Sequence, residues 1–219
     1  MGLSIIDSHC HLDDDRFDDD RDQVLQRARQ QGVHQFVVPA TTRLSWPRVK
    51  QLAMDHASIH VGYGLHPYFM DQHSSSDIPA LDAWLAQEKA VAVGECGLDF
   101  FIKPRDEQRQ LEMFRDQLQV SANHRLPVII HARKALDIVI RELRKSPVES
   151  GVIHSFSGSL QQAEIIVSNK VVLDRPLLER CGNLELICVA ATGFNNIDIA
   201  AAKERGVKVC NARAYATAS

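Results

Sequence analysis

Five short apolar runs in the first 154 residues each lead into a side chain able to hold a metal ion. Ile5-Ile6 leads into Asp7-Ser8-His9-Cys10-His11, and the run through Leu65 into His66. Val91-Ala92-Val93-Gly94 leads into Glu95, Val128-Ile129-Ile130 into His131, and Val152-Ile153 into His154. His9 and His11 stand two apart, so on an extended chain their side chains share a face and can serve one ion. Imidazoles joined by a carboxylate suit zinc or another divalent transition ion, and a carboxylate with two oxygens can bridge a pair of ions. Glu95 is the natural bridge. A lone histidine at a strand end is ordinarily a hydrogen-bonded loop residue; several of them with a glutamate make a constellation with a joint chemistry. The acidic residues from Asp13 to Asp22 read as a solvated loop and first helical turn, where they suit the helix dipole, rather than as a third metal site.

The elements that must position these groups follow from the spacing of apolar residues. β-Branched runs begin near Ile5, Phe36, Ile59, Ala90, Val128 and Val152, and segments of helical period lie between them, the pattern of a parallel sheet covered by helices. Helices are expected over Asp22 to Gln31, stopping at Gly32, over Glu107 to His124 with Leu111, Phe114, Leu118 and Ala122 on one stripe, and through Leu136, Val139, Ile140 and Leu143. Ser74-Ser75-Ser76-Asp77 reads as a loop ending in an N-cap for a helix through Leu81 and Leu85. Six βα units in roughly 160 residues match the period of a (β/α)8 barrel, which typically needs about 250 residues. In such a barrel the ligand residues would all meet at the carboxyl rim of the strands, where barrel active sites lie.

Composition narrows the function classes. Twenty-five Lys and Arg against 28 Asp and Glu in 219 residues leave a formal charge of −3, so no global basic surface advertises a polyanion, although a local basic pocket remains open. No run approaches the ~18 apolar residues of a membrane span and the N-terminus has no leader pattern, so a soluble cytoplasmic protein is expected. Five cysteines, Cys10, Cys96, Cys181, Cys188 and Cys210, are odd in number and lack a Cys-x-x-Cys pair, which argues for reduced, mostly buried thiols. No Gly-x-Gly-x-x-Gly follows any strand, so neither NAD nor oxidoreductase chemistry is expected.

Residues 1 to about 164 resemble the TatD family of metal-dependent hydrolases. The stretches that carry the resemblance are Ile6-Asp7-Ser8-His9-Cys10-His11-Leu12-Asp13, Gly64-Leu65-His66-Pro67, Val93-Gly94-Glu95-Cys96-Gly97-Leu98-Asp99, Pro127-Val128-Ile129-Ile130-His131-Ala132-Arg133 and His154-Ser155-Phe156-Ser157-Gly158. The resemblance implies an α/β, TIM-like (β/α) barrel of amidohydrolase type. It implies a phosphodiesterase or deoxyribonuclease acting on DNA ends with two divalent ions, zinc, manganese or magnesium. By the same likeness His9, His11 and Glu95 surround one ion, Glu95, His131 and His154 the other, and His66 and Arg133 line the phosphate pocket.

The family's last strand ends in a Glu-Thr-Asp segment whose Asp is a ligand and general base, and these 219 residues contain no such segment. Residues from about 165 to 219 resemble instead part of the flavodoxin-like substrate-binding domain of D-2-hydroxyacid dehydrogenases. The chain thus reads as a chimera, a partial barrel over 1–164 whose C-terminal βα units are replaced by a βαβ segment over 165–219 packed into the same domain. Leu184 to Ala191 is expected as a buried strand, Asn195 or Asn196 as the cap of a helix through Ala200 and Ala201, and Val207 to Cys210 as a further strand. A helix from Ser159 to about Ser168 would precede them. Asp174 and Asp198 are the carboxylates that could replace the missing ligand; Asp174 before Arg175-Pro176 reads better as a helix N-cap and Asp198 as part of a first helical turn. A hydrolase, intact or impaired, and an inactive fold that keeps old ligands are the two functions left to separate.

Overall fold

The computed structural model describes residues 5–148, 150–156, 175–180, 186–189 and 198–211. They belong to two compact units, residues 38–154 on one hand and residues 1–37 with 155–219 on the other.

Unit 38–154 holds four parallel strands, β3 (Ile59–Tyr63), β4 (Ala92–Asp99), β5 (Val128–Arg133) and β6 (Gly151–Ile153), neighbours in that order. Helices α2 (Trp46–Asp55), α3 (Asp77–Leu85), α4 (Glu107–His124) and α5 (Leu136–Leu143) alternate with them. All eight residues of β4 are buried, as expected of a strand with both faces covered. Gly97 lies opposite His131 in the β4–β5 ladder with φ +131°, and a Cβ there would overlap the His131 carbonyl oxygen, so glycine alone permits this approach. Trp46 is fully buried, donates from Nε1 to the Gly64 carbonyl at 3.1 Å, and lies 5.8 Å from the Trp84 ring, which also meets Tyr63 edge-on at 5.7 Å.

Helix α4 starts and stops where its sequence implies. Asp106 caps its first turn by accepting the Arg109 N–H at 3.0 Å, and Arg125 ends it in the left-handed conformation at φ 54°. Its inner face differs from expectation: Met113, Phe114 and Leu118 are buried together with Gln110, Gln117 and Ser121, while Leu111 and Ala122 are only half-buried. Ser76 makes no side-chain cap for α3; the Asp77 carboxylate accepts the Ser74 N–H at 2.8 Å instead.

In the other unit β1 (Ile5–Asp7) runs parallel to the first residues of β2 (Val33–Pro39), joined through α1 (Arg21–Gln30) with Leu25 buried beneath it. The acidic stretch before α1 serves local structure as expected: Asp14 accepts from Arg16 and Asp18 from Arg21. Of the C-terminal part, α6 (Arg175–Arg180), β7 (Leu186–Val189), α7 (Ile199–Glu204) and β8 (Lys208–Asn211) are described. β7 and β8 pair in parallel around α7, and β8 lies beside β1. The cap of α7 is Asp198, whose Oδ1 accepts the Ala201 N–H at 2.8 Å, rather than either asparagine. Asn195, Asn196, Asp174, Cys181 and the helix expected over 159–168 lie outside the described residues. No helix among the described residues is long and apolar enough to cross a membrane.

Candidate functional site

Four of the side chains singled out in the sequence meet in unit 38–154. Glu95 sits within β4, 1% exposed, and its Oε1 is the point of convergence: His154 Nε2 lies 2.5 Å away, His66 Nε2 3.2 Å and His131 Nδ1 3.4 Å. His131 Nδ1 and His154 Nε2 are 3.1 Å apart. Glu95 and His131 were expected at the ends of their strands, but both lie inside them. β4 continues through buried Cys96 and Leu98 to Asp99, and β5 to Arg133. A polar side chain need not end a strand when polar partners from the neighbouring strands gather around it. His154 follows β6 directly, its N–H held by the Ile130 carbonyl at 3.0 Å, and His66 lies three residues past β3, its N–H held by the Thr41 carbonyl at 2.8 Å.

The surroundings set the protons. Tyr68 donates its backbone N–H to His66 Nδ1 at 3.0 Å, which leaves the neutral ring's proton on Nε2, aimed at Glu95. Burial pushes His66 below the ordinary imidazole value even though Glu95 pulls it the other way. Burial also works against a charge on His131, yet its hydrogen bonds and attraction to Glu95 and Asp99 outweigh that and hold it above the ordinary value. Two flanking carboxylates thus make His131 more basic than His66 and His73, both of which burial holds below the ordinary value.

Arg133 ends β5, about half exposed, with its guanidinium carbon 3.8 Å from the centre of the exposed Phe101 ring and one nitrogen 4.0 Å from the Asp99 carboxylate. The unit 1–37 with 155–219 contains His9 and His11. They lie just beyond β1 with ring centres 5.1 Å apart, edge to face, so the spacing does bring the pair together. The Asp7 carboxylate accepts the His9 N–H at 3.1 Å, and burial pushes Asp7 up to about 6. Cys10 and Cys96 are free, buried thiols, as expected.

Three residues around the site were not singled out in the sequence. Asp99, 1% exposed, faces His131 Nε2 at 3.1 Å. Gln110 brackets the Asp99 backbone, accepting its N–H at 2.8 Å and donating to its carbonyl at 3.0 Å. Gln117 does the same for Leu65, next to His66, at 2.7 and 3.1 Å. The signal that could have found the glutamines is their spacing, since they fall i+3 or i+4 from Met113, Phe114 and Ser121 on the face that packs inward.

Residues 6–173 match the family described as TatD related DNase. The chain belongs to this family. Over 170 residues it is 40% identical to the uncharacterized metal-dependent hydrolase YjjV of Escherichia coli K12, covering 76% of this chain and 66% of that protein. Over 163 residues it is 31% identical to the 3'-5' ssDNA/RNA exonuclease TatD of Erwinia tasmaniensis, covering 73% of this chain and 63% of that protein. The crystal structure of YjjV from E. coli superposes with a TM-score of 0.77 at 33% identity, covering 89% of this chain and 84% of that one. The chain thus spans a little under two thirds of the length of these curated relatives. The TatD match runs past residue 164, where the second resemblance was expected to begin, and these comparisons lend no support to a dehydrogenase-derived tail or to a chimera.

Proposed function

We propose that this protein is a divalent-metal-dependent phosphodiesterase acting on the ends of DNA or a related nucleic acid. The observation that carries the reading is the convergence of His66, His131 and His154 on the buried Oε1 of Glu95. The donor set fits a metal: His131 Nδ1 and His154 Nε2 lie 3.4 and 2.5 Å from Glu95 Oε1, and imidazoles with a carboxylate favour zinc or another divalent transition ion over magnesium. Glu95, His131 and His154 would hold one ion, and His9 and His11 are the proposed ligands of a second. When bound, such ions supply a polarised phosphoryl oxygen and a water acidified to near neutrality. The chain's own part is to place the phosphate. Arg133 offers a planar fork for two phosphate oxygens, and its stacking on Phe101 restricts the fork's orientation. His66, with its Nε2 proton fixed by the Tyr68 N–H, can donate to an anionic oxygen. Burial of Glu95 and His66 strengthens the interactions those two groups make.

Asp198, one of the two carboxylates considered as a further ligand, is committed to the cap of α7. The test is metal content beside cleavage of a 3'-labelled single-stranded oligonucleotide with added manganese. Wild type should retain divalent metal that a His131→Ala, His154→Ala double variant loses, with end-directed cleavage abolished in the variant. Equal metal content in the two proteins refutes the reading. Metal binding without any cleavage selects the inactive alternative.

A further inference from the structure

The geometry points to Asp99 as the positioning residue of this site: it fixes the proton of His131 on Nε2, so that Nδ1 is the nitrogen left to bind an ion. The inference rests on the metal-dependent reading above and assigns a role to a buried carboxylate outside the ligand set. Asp99 is buried, and each of its oxygens is committed. Oδ1 accepts the Phe101 N–H at 2.9 Å, and Oδ2 faces His131 Nε2 at 3.1 Å with an Arg133 nitrogen at 4.0 Å. Its backbone is clamped on both sides by Gln110, so the carboxylate is aimed by helix α4 as well as by its own strand.

The ladder explains why one residue can do this. Asp99 lies opposite Arg133 and Gly97 opposite His131, and residues 131 and 133 share a face of β5. The Asp99 side chain therefore reaches both the imidazole and the guanidinium. An ionised carboxylate only accepts, so its partner nitrogen must carry hydrogen, and a neutral imidazole has only one. With that hydrogen on Nε2, the lone pair is on Nδ1, the atom directed toward Glu95 at 3.4 Å and His154 at 3.1 Å. Oriented carboxylate–histidine pairs of this kind raise the basicity of a ligand and hold its ring in place.

The prediction separates positioning from mere packing, because the nearly isosteric variant should be the worse one. In Asp99→Asn the amide oxygen can keep the Phe101 N–H, which turns the amide NH2 toward His131 Nε2. A donor there drives the imidazole proton to Nδ1 and blocks the ligand. In Asp99→Ala the ring is free to take either tautomer. Manganese affinity, measured by calorimetric titration of the full chain, should fall about 10- to 100-fold in Asp99→Ala and further in Asp99→Asn, with His131→Ala as reference. A purely structural role gives the opposite order. The proposal is overturned if Asp99→Asn binds manganese as tightly as wild type or more tightly than Asp99→Ala. Should the alanine variant not fold, as judged by its thermal melt, the asparagine variant against wild type decides alone. If His131→Ala also binds like wild type, the metal reading itself falls and this inference with it; if His131→Ala weakens binding and Asp99→Asn does not, only the positioning role falls.

Discussion

Helices α4 and α5 both bury polar side chains, and they do so by different means. On α4 the buried groups are neutral: Gln110 and Gln117 each form a two-point bracket on the backbone of a residue close to the site, Asp99 and Leu65. On α5 the buried group is charged. Glu142, 4% exposed, is met by Arg115 at 2.8 Å and Arg141 at 3.0 Å, whose side chains are about half exposed. A neutral amide can satisfy a donor and an acceptor together without carrying a charge into a low dielectric, whereas a carboxylate needs cations and loses strength wherever water reaches them. The lesson is that the residues aiming the site are braced by pH-insensitive amide contacts, whereas the pH-sensitive contact is the one by which Glu142 of α5 meets Arg115 of α4.

That contrast can be broken by substitution. Gln110→Leu should have the largest effect on stability, since it strands the Asp99 N–H and carbonyl, at about 1–3 kcal/mol for each unmet buried group. A loss of about 3 kcal/mol in urea unfolding is expected, and Gln117→Leu should resemble it through Leu65. An effect no greater than that of an exposed substitution would show that water replaces the bracket. Glu142→Gln should do less, about 1 kcal/mol or under, because both arginines are well solvated. The smallest effect sharpens the comparison through pH. The hydrogen bond from Arg115 lowers Glu142 below its ordinary value of 4.5, with burial opposing and Arg141 adding to the effect. A carboxyl group with a depressed folded value contributes stability above its unfolded value and loses it as pH falls through the folded one. The gap between wild type and Glu142→Gln should therefore close as the pH drops below 4.5, while the Gln117→Leu gap stays flat. A Glu142→Gln gap that does not narrow in acid would remove the ion pair from the account.

Much of this was legible in the sequence where a single local rule decided the outcome. The six runs from Ile5 to Val152 became parallel strands, and α4 occupies Glu107–His124 as its period implies, because apolar spacing dominates when one stripe meets a core. Leu184 to Ala191 likewise contains β7, the Ala200 helix contains α7, and Val207 to Cys210 overlaps β8, which runs one residue further to Asn211. What failed involved polar groups whose partners are distant in sequence. A count of apolar residues passes over Gln110 and Gln117, whose burial depends on backbone groups 11 and 52 residues away. Glu95 looked like the end of a strand because a run of apolar letters stopped there, and only the neighbouring strands supply the imidazoles that let it sit inside. His66 likewise reaches Glu95 only through the fold, from a loop three residues past β3.

The two tryptophans of the chain, Trp46 and Trp84, pack against each other within residues 38–154. Intrinsic emission excited at the indole band therefore reports on that unit alone, and is optically blind to the His9–His11 segment and to β7 and β8. Any difference between a fluorescence transition and a circular dichroism transition would expose how independently the remaining residues come apart.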